Sequence, residues 1–68
     1  MKVILNDTPI DLDASKTSLA QAILNSGIED FKGLAVAVNN TVIPRTTWNI
    51  FQLNENDTIT IIRATQGG

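Results

Sequence analysis

The stretch Thr17 to Gly27, TSLAQAILNSG, is where the period of the sequence changes, and its reading decides the fold. Leu19, Ala20, Ile23 and Leu24 recur at three- and four-residue spacings, which puts them on one side of a helix. Ser18 followed by Gln21 predicts a capping box, in which each side chain satisfies an otherwise unpaired backbone N–H at the helix start. Gly27 suits the left-handed residue that closes a helix. The spacing predicts one short helix over Leu19 to Ser26.

Outward from that helix, both flanks read as strand. MKVILN at the start is rich in Val, Ile and Leu, with Met1, Val3 and Leu5 on one face. Asn6 to Pro9, NDTP, supplies turn residues, and Pro9 should begin or precede the next run. Ile10 and Leu12 then alternate with acids, as in a half-exposed second strand, so the two runs predict a hairpin. Beyond the helix, LAVAVN returns to strand composition, and a tight turn is expected at Asn39 and Asn40 because Asn tolerates positive φ. Pro44 cannot donate to a ladder, which limits the fourth strand to an edge or to very few residues. The last strand lies in LNENDTITIIRAT, with Ile59 and Ile61 facing in and Thr60 and Ile62 facing out.

Strands on both sides of one helix, in the order β-β-α-β-β-β, predict an α+β domain: a mixed β-sheet packed on one main helix. The first and last strands carry the most continuous apolar runs and are expected side by side in the middle of the sheet.

Composition narrows the functional classes. The 68 residues suffice for one domain, and one of this size buries only about 60% of the surface its unfolded chain exposes. Apolar residues at 43% are too many for a disordered chain. Five basic and seven acidic residues form no basic block, so no nucleic-acid footprint is present. No apolar run approaches the ~20 residues of a membrane span, and the start has no signal-peptide h-region, so no membrane partner and a cytoplasmic location are expected. Cysteine and histidine are absent, which excludes disulfides, thiolate or imidazole metal sites and Ser–His–Asp or Cys–His catalysis. An enzyme is therefore not expected, nor a cofactor bound by the chain itself.

Two motifs together carry a resemblance. VAVNNTVIPRTTW, from Val36 to Trp48, combines an apolar strand, Asn39, Val42-Ile43-Pro44-Arg45 and Trp48, and the chain ends Gly67-Gly68. The combination resembles the sulfur carriers of the thiamine pathway, the ThiS family, whose fold is the ubiquitin-like β-grasp. The resemblance covers nearly the whole chain and implies a β-grasp domain over residues 1–64 with a flexible diglycine tail over 65–68. One departure is visible: such domains commonly place Gly-Asp before the last strand, where this chain has Asn56-Asp57. Asn is the next best residue for a left-handed position.

The resemblance also implies a chemistry. A partner adenylyltransferase of the ThiF type uses ATP and Mg²⁺ to convert the Gly68 carboxylate into an acyl-adenylate. A persulfide on a donor protein then supplies sulfur, leaving a thiocarboxylate for a thiazole synthase of the ThiG type. Gly67 and Gly68 suit the task because a residue without Cβ adopts backbone angles and approach distances closed to others. Arg63, Ala64, Thr65 and Gln66 form the stalk, whose backbone groups are candidates for a strand-like ladder with a partner, against the alternative of a solvated tail. Ile62 reads either as part of a docking patch or as a singly exposed apolar residue. Trp48 is expected to cap one end of the core, and Arg45 to pair with an acid or with nearby carbonyls. The acids are scattered, with no spaced catalytic pair. Three other readings stay open: a molybdopterin synthase small subunit, a ubiquitin-like modifier, and an interaction module with an incidental tail.

Overall fold

The structure, a computed structural model, describes residues 1–63. Strands β1 (Lys2–Leu5) and β2 (Thr8–Asp11) form a hairpin, followed by the helix α1 (Leu19–Asn25). Strands β3 (Leu34–Val38) and β4 (Thr41–Val42), a 3₁₀ turn at Arg45–Thr47 and strand β5 (Thr58–Arg63) complete the order. The sheet runs β2-β1-β5-β3-β4, with β1 parallel to β5 and the other neighbours antiparallel. The expected mixed sheet is present, and the first and last strands meet in its middle.

Local chemistry accounts for each element. The turns of both hairpins place two consecutive residues at positive φ, Asn6 (48°) with Asp7 (69°) and Asn39 (50°) with Asn40 (70°). That is the type I′ geometry whose twist matches paired strands. Asn56, at φ 68°, occupies the left-handed position before β5, so the departure from Gly-Asp leaves the turn intact. Pro9 lies one residue inside β2 rather than before it. The edge strand tolerates it because Pro9 faces Ile4 between hydrogen-bonded pairs, so its missing N–H would have pointed to solvent. Leu12 falls after β2 yet stays in the ladder, its N–H donating to the Met1 carbonyl at 2.7 Å. β4 is an edge of two residues, as Pro44 requires.

The helix corrects two expectations. The Ser18 hydroxyl accepts from the Gln21 N–H at 3.2 Å, but among the described residues the return bond from the Gln21 side chain is absent, so the capping box is half formed. Leu24 is half exposed, and Ala22 is buried in its place beside Leu19, Ala20 and Ile23. At about 100° per residue the stripe centres between Leu19 and Ile23, which brings Ala22 inside and leaves Leu24 on its border. Ser26 is the C-cap, and Gly27 follows at φ 95°.

The core lies between α1 and the inner face of the sheet, where Val3, Leu5, Val36, Val38 and Ile59 meet Leu19 and Ile23. Trp48 closes one end: its indole is 2% exposed, stacks obliquely 5.5 Å from Phe31, and donates Nε1–H to the Ile43 carbonyl at 2.8 Å. Replacing Trp48 with Phe empties part of that end and leaves a buried carbonyl unpaired. The expected cost is about 2 to 4 kcal/mol, read from urea unfolding.

A second consequence concerns pH. The Asp13 carboxyl is held below its ordinary range, first by the Ser15 N–H (2.9 Å) and then by the Ser15 hydroxyl (2.8 Å). Because the folded value is depressed, its stabilising contribution is present above the ordinary aspartate value and disappears as pH falls through the folded one. Ser15→Ala is expected to raise the Asp13 titration midpoint, followed by NMR of the carboxyl carbon.

Candidate functional site: the outer face and end of the last strand

The end of β5 leads into the segment where the sequence concentrates its unusual chemistry. Alternation along β5 buries Ile59, half-buries Ile61 and turns Thr60 and Ile62 outward, with Ile62 62% exposed. Ile62 pairs with Ala35, and Thr60 with Ala37, which in turn pairs with Val42 on β4. Small alanines on β3 therefore lie between larger side chains on β5 and β4. The result is a shallow, almost wholly apolar trough of ≈ 70 Å³ lined by Ala35, Val36, Ala37, Val42, Thr60 and Ile62. Val42 is itself 71% exposed, so Ile62 is one rim of a patch and not a lone apolar residue.

Sequence reading missed Ala35, Ala37 and Val42 as site residues. LAVAV looks like a uniformly apolar strand, and the structure shows that the face carrying both alanines is the outer one. The alternation of Ala with Val and Leu was the available signal.

Arg63 points the other way. It shares the inner side of the sheet with Ile59 and Ile61, and its guanidinium donates to the carbonyls of Lys32 (3.3 Å) and Asp30 (3.4 Å) in the α1–β3 loop. Ile62 and Arg63 are thus brought to one strand end but present opposite faces. Arg45 is exposed and forms no side-chain hydrogen bond among the described residues. Ala64, Thr65, Gln66, Gly67 and Gly68 lie outside the described residues, as does the expected 65–68 tail.

Asn6, a turn residue in the sequence, also holds the end of β5. Its N–H donates to the Ile59 carbonyl at 2.9 Å, and its carboxamide then takes both backbone groups of Ile61. The Ile61 N–H donates to Oδ1 at 2.8 Å, while Nδ2 donates to the Ile61 carbonyl at 3.3 Å.

A larger depression, ≈ 240 Å³, lies between α1 and the β2–α1 loop, lined by Leu12, Asp13, Lys16, Gln21, Leu24 and Asn25. It lies on the β2 side of the sheet, remote in sequence and topology from the end of β5. The smaller trough is therefore taken as the candidate site. Among the described residues no cluster of His, Cys, Asp and Glu is arranged to hold a metal ion, and no helix is long and apolar enough to cross a membrane.

The sequence pattern of the ThiS family matches residues 3–68, nearly the whole chain. The chain belongs to the ThiS family. Among solved structures it is similar to the crystal structure of the thiamine biosynthesis protein ThiS from Geobacter metallireducens, with a TM-score of 0.80, 16% identity and all of both chains covered. The solution structure of a thiamine biosynthesis protein from Geobacter metallireducens superposes with a TM-score of 0.74 at 16% identity, over 100% of this chain and 88% of that one. No match was found among curated protein sequences. At this identity the structural likeness establishes the fold, the ubiquitin-like β-grasp. In this ThiS-family chain the trough and the strand leading to Gly67-Gly68 are contiguous.

Arg63→Ala removes two long, exposed hydrogen bonds and is expected to cost less than about 1 kcal/mol in global stability. Amide shift changes should concentrate in residues 30–34, which a ¹H–¹⁵N correlation spectrum reads directly.

Proposed function

We propose that this chain is a sulfur carrier of thiamine biosynthesis, acted on by partner enzymes and not itself a catalyst. The observation that carries this reading is the family match running through Gly68, in a chain whose last described strand has an uncharged trough on its outer face. The two Geobacter structures, which are named for thiamine biosynthesis, share the fold this reading requires.

In this reading the Gly68 carboxylate is the reacting group. A carboxylate is a poor electrophile, because its charge is delocalised and oxide is a hopeless leaving group. A ThiF-type adenylyltransferase, with ATP and Mg²⁺, therefore joins a carboxylate oxygen to the α-phosphorus and releases pyrophosphate. The terminal sulfur of a donor-protein persulfide attacks the acyl carbon of the mixed anhydride, and AMP leaves with the bonding pair. A second thiol attacks the inner sulfur, forming a disulfide with the donor and freeing the thiocarboxylate. That soft nucleophile passes to a ThiG-type thiazole synthase. The chain lacks cysteine, so no side-chain thiol of its own intercepts the acyl group.

The body supplies docking. The adenylating enzyme must grip the domain while it takes up the terminal carboxylate, and the trough rimmed by Ile62 is an apolar surface on the strand that precedes that terminus in sequence. Its Ala35 and Ala37 floor admits an inserted apolar side chain, and the absence of charge lowers the desolvation cost of covering it. Backbone pairing of Arg63 to Gln66 with the enzyme would extend the same contact.

Intact mass after incubation with ATP, a persulfide source and the adenylating partner tests the reading. The expected result is a gain of one oxygen exchanged for sulfur, absent from a form lacking Gly67 and Gly68. No gain with a partner shown to be active overturns it. For docking, Ile62→Asp should cost no more than about 1 kcal/mol in urea stability, since the site is exposed and the loss is mainly one of strand propensity. Affinity for the adenylating partner should fall at least about tenfold by titration calorimetry, as expected when a charge enters an apolar interface.

A further inference from the structure

The way β5 ends assigns a role to a residue far away in sequence. β1 pairs with β5 only at Ile4 with Thr58 and Leu5 with Ile59, so the parallel ladder stops two residues before Ile61. The Asn6 N–H makes the next bond, to the Ile59 carbonyl. From Asn6 onward β1 has turned into the hairpin, and its backbone can no longer follow β5. The Asn6 carboxamide fills the place that the next strand residue would have taken, accepting from the Ile61 N–H and donating to the Ile61 carbonyl.

The antiparallel register with β3 shows what lies beyond. Asn39 N–H donates to the Thr58 carbonyl, so Thr58, Thr60 and Ile62 exchange bonds with β3, while Ile59, Ile61 and Arg63 direct their backbone groups toward the β1 side. Among the described residues, Ile61 is consequently the last one held on that side. At Arg63 no described strand lies alongside. The boundary between strand bonded on both sides and strand bonded on one side falls at a single carboxamide.

We infer that Asn6 is a positioning residue for the sulfur-carrier reaction: its carboxamide fixes Ile61, and with it the strand end from which the chain continues to Gly68. This rests on the function proposed above. Asn6 acts through Ile61, whose backbone N–H and carbonyl its carboxamide holds. With the strand clamped there, a partner seated in the trough finds the acyl terminus at a defined reach. Without the clamp, the same docked domain delivers it over a wider spread of positions, and reaction from a bound state is sensitive to such misplacement. The effect should therefore fall on kcat and spare KM.

The side chain and the turn can be separated, because Asn6 sits at φ 48°. Asn6→Gly keeps that backbone without strain and removes only the carboxamide. Asn6→Asp keeps an acceptor for the Ile61 N–H and replaces the donor with a charge facing the Ile61 carbonyl. Asn40→Gly, at φ 70° in the hairpin at the other end of the sheet, is the control for a turn change as such.

Two measurements follow. In the isolated protein, amide exchange at Ile61 should accelerate about tenfold or more in Asn6→Gly, with the α1 amides unchanged, as for a local opening. In steady-state AMP release with a ThiF-type adenylating enzyme and a persulfide donor, kcat should fall about tenfold with KM within about twofold, Asn6→Asp lying between and Asn40→Gly matching the parent. Unchanged Ile61 exchange overturns the clamp. Faster exchange with unchanged kcat overturns the positioning role and leaves Asn6 a turn residue. Failure of the parent chain itself to be turned over by an active enzyme overturns the sulfur-carrier reading, and this inference with it, and is distinguished by the parent's own rate.

Discussion

The parallel pairing of β1 with β5 joins the two ends of the chain, and the rest of the molecule is arranged around it. Ile4 donates its N–H to the Asp57 carbonyl and Asn6 to the Ile59 carbonyl, both at 2.9 Å, across more than fifty residues. Closing so long a loop is entropically costly and the return per residue is small, so the pairing has to be buried to hold. It is buried: Val3 and Ile59 are completely shielded beneath α1. Once β5 is central, β2 and β3 can only add on either side, and β4 becomes an edge.

That constraint also shapes the candidate site. The strand that precedes the diglycine is the central one and not an edge, so it has a neighbour on each side. β5 is held by β3 along its length and by β1 and then Asn6 on its other side. The outer face of the same strand forms one rim of the apolar trough. The two faces of one element are thus set differently, with Ile62 outward, Ile61 held by Asn6, and Arg63 turned inward onto the α1–β3 loop.

Much of the fold was legible because it depends on short-range rules. Helical spacing with Ser18 and Gly27 set the helix, consecutive asparagines marked a tight turn, and Pro44 forecast the short fourth strand. The pair VIPRxxW and diglycine was enough to place the chain in its family. Leu24 misled because a seven-residue stripe is too short to show its own centre. The trough was invisible because its floor consists of alanines, residues with no chemistry to flag, on a face that the structure shows to be the outer one.

The sequence by itself determined what is local: which residues turn, which alternate, where the helix begins, and that the diglycine carries the reacting group if the chain acts as its family resemblance implies. Only the tertiary structure decided what is relational. Asn6 and Ile61 are separated by 55 positions, and nothing in the composition of either neighbourhood announces their contact. It arises because β1 stops pairing before β5 stops being a strand, leaving one N–H and one carbonyl that a carboxamide at a positive-φ position can reach. Such a match depends on register and strand length, which the packing of both strands against α1 sets.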